Sequence, residues 1–252
     1  IGAAIIADGV DAVIVASRNN LRLGASQIKL MAGGGVSSLY DQLEDVQYFE
    51  DELHAAVMAA EDAGTYVMVH VYVPEAIRRA GVKSIEHGQL IDEPTMKLIA
   101  EKGVWLSMQP FIGEGNNHYT NPVQQAKHEL VVQGTDRAYQ LAKKYGVKLA
   151  WGTDLLFSPA NARNQNLNIE KMTRWFSNFE ILKMITHDNA ELLALSGRRN
   201  PYPGKLGVIE EGALADLIVV DGNALEDIKV LTDPGKNMLL IMKDGKIYKN
   251  DL

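Results

Sequence analysis

Lys29 lies inside the apolar run Gln27-Ile28-Lys29-Leu30-Met31, His70 follows Val67-Met68-Val69, His87 follows Ser84-Ile85-Glu86, and Asp154 ends Ala150-Trp151-Gly152-Thr153. An amine, two imidazoles and a carboxylate thus interrupt or end β-rich apolar runs. Each has a plain structural role when taken singly: a histidine in an apolar strand is hydrogen-bonded within a core, and an aspartate after a Gly-Thr turn caps a helix. Lys29 is harder to place, because burying an ammonium is costly unless it is paired, neutral or modified. As a set, the four are better explained by a metal site. Imidazole and carboxylate ligate zinc and similar divalent ions, which lower the pKa of a bound water to about 7 and polarise a carbonyl. That chemistry is hydrolytic. Asp154 would bind one metal, accept the proton of the attacking water and pass it to the leaving group.

Such residues must be held by a frame, and the chain supplies one by alternating short β-rich runs with helical patterns, the signature of βα units and a parallel sheet. The runs are 27–32, 66–73, 82–86, 104–109 and 148–151. Helices are expected over 50–63, 74–80, 93–102, 126–145 and 179–194, with Pro74 suited to a first turn and Gly81, Gly103 and Gly146 closing helices. In a parallel α/β fold, reactive side chains gather at the carboxyl ends of strands. Five units fall short of the eight a closed barrel needs, so the fold is either a smaller open sheet or a barrel entered partway. Beyond residue 199 the texture changes to short strands and tight turns, with Asp244-Gly245 between two strand-like runs marking a hairpin. Two domains follow, 1–199 and 200–252.

Composition narrows the chemistry. The chain has 252 residues, a formal net charge of −7 and no Lys/Arg run, which argues against nucleic acid or an anionic membrane as partner. It has no cysteine, so thiolate metal sites, disulfides and cysteine nucleophiles are excluded. No apolar run reaches membrane-spanning length and no signal-peptide pattern opens the chain, so a cytoplasmic location is expected.

The segments around the four residues closely resemble the amidohydrolase superfamily, in its imidazolonepropionase-like and prolidase-like (Xaa-Pro dipeptidase-like) branch. Gln27 to Val36, with Gly33-Gly34-Gly35, resembles the fourth-strand segment, Val69-His70-Val71-Tyr72 the fifth, Ser84 to Gly88 the sixth and Trp151-Gly152-Thr153-Asp154 the eighth. Gly204 to Gly207 and Glu211 to Leu217 resemble the stretch that leaves the barrel to complete a small β-sandwich. The resemblance implies an α/β fold: the C-terminal part of a (β/α)8 TIM barrel, strands 4–8, with a β-sandwich segment at its end. It implies two zinc-like ions, Lys29 carboxylated and bridging them, His70 and His87 on the second ion and Asp154 on the first. A carbamate turns a buried cation into an anionic ligand. It further implies a homo-oligomer.

The branch's first-strand His-x-His pair has no counterpart here: His54 lies in a helical pattern, and His118 and His128 lie in or beside the loop after 104–109. The chain is therefore expected to be the C-terminal portion of a longer enzyme. A barrel without three strands exposes sheet edges, so the missing N-terminal portion or another chain should cover them. The segment from His70 to His87 is shorter than the branch leads one to expect, which puts convergence of the two imidazoles to the test.

Tyr72, Gln109 and His118 are candidate substrate-binding residues; Tyr72 lies two residues beyond His70 and so on the same side of a strand. The glycine triplet either cradles an anion or lets the backbone pass close to the metals. Trp175 and Phe176 either cap an apolar substrate or pack helices. The expected activity is hydrolysis of an amide C–N bond in a dipeptide or N-acyl amino acid through a metal-bound hydroxide. Alternatives are a cyclic amide, urea or carbamate at the same site, or a truncated barrel without catalysis.

Overall fold

In a computed structural model, residues 4–113, 119–155 and 159–252 are described. The chain divides into two compact units, Ile1–Leu149 with Leu193–Pro201, and Ala150–Leu192 with Tyr202–Leu252.

The first unit opens with α1 (Val10–Arg22), a helix the sequence reading did not anticipate, and continues β1 (Ile28–Met31), α2 (Glu50–Asp62), β2 (Val67–Val71), α3 (Pro74–Ala80), β3 (Ser84–His87), α4 (Glu93–Glu101), β4 (Trp105–Met108) and α5 (Pro122–Tyr145). With β5 (Leu149–Trp151) the strands form one five-stranded sheet in the order β1-β2-β3-β4-β5, and the pairs β1/β2, β2/β3 and β3/β4 are parallel. The expected α/β architecture with a parallel sheet is thus present.

Local sequence explains the elements. The Glu52 carboxylate at the start of α2 accepts the Phe49 N–H at 2.7 Å and the Gly9 N–H at 2.6 Å. Asp92 caps α4 by accepting from Thr95 N–H at 2.9 Å. Asn121 caps α5 and Pro122 occupies its first turn, so α5 starts four residues earlier than expected. Gly81 and Gly146 end α3 and α5 in the left-handed region.

Paired residues in a parallel ladder share a face, which sorts the sheet. Ile28, Val67, Val69, Val71, Ile85, Leu106 and Met108 form one face and are all but sealed from solvent. The other carries Lys29 and Met31, Met68 and His70, Ser84 and Glu86, and Ser107. A face this polar in the middle of a sheet is a place for chemistry rather than for packing.

The second unit contains α6 (Pro159–Ala162), α7 (Leu167–Lys171) and α8 (Asn178–Lys183), a π-helical turn at Met184–Asp188, α9 (Asn189–Ala194), and an antiparallel sheet β6-β7-β8 (Leu217–Val220, Met238–Lys243, Lys246–Asn250). The single helix expected over 179–194 is interrupted because the Thr186 hydroxyl bonds back to the Leu182 carbonyl at 2.6 Å. Asp244 and Gly245, at φ of 50° and 71°, make the expected hairpin turn between β7 and β8. Among the described residues no helix is long and apolar enough to cross a membrane.

Candidate metal centre

The first unit brings His70, Tyr72, His87 and Gln109 together. His70, near the end of β2, is 7% exposed, and His87 at the end of β3 is 1% exposed. Their ring centroids are 4.4 Å apart, so the short connection between them does not keep the imidazoles apart. Tyr72 stacks on His87 at 4.8 Å and meets His70 edge-on at 5.3 Å.

The register makes this convergence a local event. Glu86 pairs with His70 and His87 with Val71, so strict alternation would send the His87 ring to the apolar face. Instead His87 has a φ of 82°, a left-handed value costly for a residue with a side chain, and the backbone turn brings its ring to His70. Asp154, the fourth candidate, also has positive φ, 51°.

Each imidazole has one nitrogen on a named acceptor. His87 Nδ1 is 2.7 Å from Gln109 Oε1, and His70 Nε2 is 3.0 Å from the Gly34 carbonyl. Both partners are acceptors, so each of these nitrogens carries the proton, and the lone pair sits on Nε2 of His87 and on Nδ1 of His70. Burial pushes the His87 imidazole well below its ordinary pKa of 6.5; the neighbouring His70 and Lys29 charges add to this, and the bond to Gln109 opposes it. A neutral imidazole with a fixed tautomer is the form in which histidine ligates a divalent ion, and outer hydrogen bonds of this kind orient metal-bound histidines. The donor set fits the implied metal.

Other expectations are corrected by the geometry. Lys29, read from its apolar neighbours as a buried ammonium, is exposed, as is Met31 on the same face. β1 is the first strand of the sheet, and among the described residues no strand pairs with its outer edge. Lys29 still lies within electrostatic reach of His87. Gln109, expected to bind substrate, bonds to the His87 ring through its Oε1. The glycine triplet is no anion cradle at Gly35, whose N–H is taken by Asp41 Oδ2 at 3.1 Å.

Asp154 is exposed and belongs to the second unit. His118 lies outside the described residues. His54 is in α2 beside Glu50, and His128 is buried in α5 against Phe111 and Tyr119. Phe176 is buried in the second unit. Among the described residues, the His/Asp/Glu group compact enough to bind an ion is His187, Asp188 and Glu191 on the second unit, where Lys183 already balances the Asp188 charge.

Two residues near the site escaped the sequence reading: Lys127, bonded to the loop after β1, and Asp41 within that loop. The available signal was a lysine in phase with the buried stripe Val131, Thr135, Ala138 and Ala142 of α5.

A parallel sheet with paired imidazoles at its carboxyl edge marks a candidate site in an α/β fold, and comparison makes the assignment specific. The model of the Amidohydrolase family matches residues 1–248, and the chain belongs to that family. It is 34% identical over 255 residues to the ochratoxinase of Aspergillus niger, covering 98% of this chain and 51% of that protein. Among solved structures it is similar to a prolidase complexed with N-methylphosphonate-L-proline, at 37% identity and a TM-score of 0.88, covering 98% of this chain and 60% of that one. It is also similar to a Xaa-Pro dipeptidase with bound methionine in the active site, at 30% identity and a TM-score of 0.84, covering 99% and 62%. The chain thus spans about half the length of the curated relatives it matches.

Proposed function

We propose that the chain carries the ligand-bearing half of a metal-dependent amidohydrolase that cleaves the amide bond of a dipeptide or N-acyl amino acid. The observation that carries this reading is the complementary locking of two buried imidazoles, His70 through Nε2 and His87 through Nδ1, onto backbone and amide acceptors. It is supported by family membership and by relatives named as prolidase, Xaa-Pro dipeptidase and ochratoxinase.

In this reading His70 would hold a divalent ion through Nδ1 and His87 through Nε2, with carboxylated Lys29 bridging to a second ion held by Asp154. Zinc is the metal proposed for both positions. When bound, the metal supplies Lewis acidity that polarises the amide carbonyl and acidifies water to a pKa of about 7. Asp154 takes the proton from the attacking water and delivers it to the amide nitrogen as the C–N bond breaks, leaving a carboxylate and an amine. Tyr72, packed on His87, offers its hydroxyl to the substrate's carboxylate, and Gln109 holds the His87 ring in place. His118 keeps its proposed place among the substrate-binding residues.

In this reading residues 1–199 belong to a barrel and 200–252 complete a β-sandwich, in a cytoplasmic homo-oligomer whose His-x-His pair lies outside these 252 residues. The test strips metal from the full-length protein, restores Zn²⁺ or Mn²⁺ with bicarbonate, and follows hydrolysis of Xaa-Pro dipeptides, N-acyl amino acids and ochratoxin. Metal-dependent turnover is expected on at least one class; turnover indifferent to metal contradicts the reading.

A further inference from the structure

Lys127 is 4% exposed, on the buried stripe of α5. Its ammonium donates to the carbonyls of Gly35 at 3.1 Å, Ser38 at 2.9 Å and Asp41, and lies 3.4 Å from Asp41 Oδ1. The other Asp41 oxygen accepts the Gly35 N–H at 3.1 Å. Gly35 is therefore gripped at both polar atoms, its N–H by a carboxylate and its C=O by an ammonium. The peptide just before it presents the Gly34 carbonyl, which is the acceptor for His70 Nε2. The loop has no slack at this point: a Cβ on Gly34 would fall 1.8 Å from the Gln42 carbonyl.

Packing alone does not call for this arrangement. A methionine would fill the same volume without the cost of desolvating an ammonium, which is tolerated only when its donors are matched. Here three backbone carbonyls of one loop match them, and that loop is the one touching His70. Burial raises the Asp41 pKa, but the bonds from Ser38, Gly35 and Lys127 outweigh it and hold the group ionised.

We propose that Lys127 and Asp41 form a positioning pair that fixes the Gly34 carbonyl on His70 Nε2 and so keeps Nδ1 as the ligating nitrogen. This rests on the metal-centre reading above. Without the pair, the loop relaxes, His70 Nε2 loses its acceptor, and the ring is free to change tautomer and turn. Loss of an outer hydrogen-bond partner of a metal-bound histidine weakens metal affinity by about 10–100-fold.

The experiment uses the full-length protein with Lys127→Met, Asp41→Ala and Asp41→Asn. Its control is Arg199→Met, which breaks a comparable clamp elsewhere: Arg199 donates to the Leu21 and Ala25 carbonyls at 2.9 and 3.3 Å. Zn²⁺ affinity is read by chelator competition, alongside thermal midpoint, kcat and KM. Lys127→Met and Arg199→Met are both expected to lower the midpoint, and only Lys127→Met to weaken Zn²⁺ by about 10–100-fold, with kcat falling more than KM changes. Asp41→Ala should follow Lys127→Met, and Asp41→Asn, which keeps an acceptor for Gly35, should recover part of the loss. If Lys127→Met does not fold, the two Asp41 variants decide. Wild-type Zn²⁺ affinity in the folded variants overturns the positioning role alone, whereas a wild-type protein that takes up no Zn²⁺ overturns it together with the proposed function.

Discussion

The edge and the centre of one sheet treat two candidate ligands in opposite ways. Lys29 on β1 stands open to solvent, while His87 on β3, two strands further in, is 1% exposed and fixed by Gln109. Each sits at a β-rich run, Lys29 between Ile28 and Leu30 and His87 after Ser84-Ile85-Glu86. What differs is the number of neighbouring strands: β3 is paired on both edges, and β1 only with β2. Burial of a reactive side chain is therefore a property of its place in the sheet order, which a local run of sequence does not encode. Cost follows burial. His87 carries backbone strain, a suppressed charge and a dedicated acceptor, whereas Lys29 on β1 is exposed.

The contrast can be broken most sharply at its centre. His87→Asn in the full-length protein is expected to lower Zn²⁺ affinity by more than the roughly 100-fold upper range for an outer-shell loss, and to abolish hydrolysis; chelator competition and turnover check it. Gln109→Leu should cost about 10–100-fold in Zn²⁺ affinity, and about 1–3 kcal/mol of stability in denaturant melts, because the His87 N–H is left buried without its acceptor.

Proton linkage sharpens the comparison further. The His87 pKa is lowered in the folded state, so its contribution is fully present above the ordinary value of 6.5. Below that value the unfolded chain takes up a proton that the folded chain resists, and stability falls. In metal-free protein the expected slope from this group is up to about 1.4 kcal/mol per pH unit as pH drops toward the folded value, and it should vanish in His87→Asn. The smallest effect belongs to the edge: in the metal-free 252-residue chain, where Lys29 is exposed, Lys29→Met should shift the unfolding free energy by less than about 0.5 kcal/mol, as exposed substitutions do. A larger shift would mean that the Lys29 side chain is covered in solution.

Much of the frame was legible. The five β-rich runs became the five strands, and Pro74, Gly81 and Gly146 sit at helix ends because their backbone preferences act locally. His70 and Tyr72 were readable as neighbours because strand alternation needs no tertiary information. α1 was passed over, although Val13, Ser17 and Leu21 mark its buried side at helical spacing, because Arg and Asn dilute its apolar signal. The Gln109–His87 bond and the Lys127–Asp41 pair join residues 22 and 86 positions apart, and contacts at such separations arise only once the sheet and α5 are assembled. The turn at His87 was hidden for another reason: a positive φ on histidine is forced by its surroundings and not favoured by its type.

That turn sets stability against use. Of the twenty residues, glycine alone takes such a backbone angle without steric penalty, so a library sorted purely for heat tolerance should enrich glycine at position 87. The winners would be sturdier and inert, and any campaign to harden this protein has to score turnover in every round.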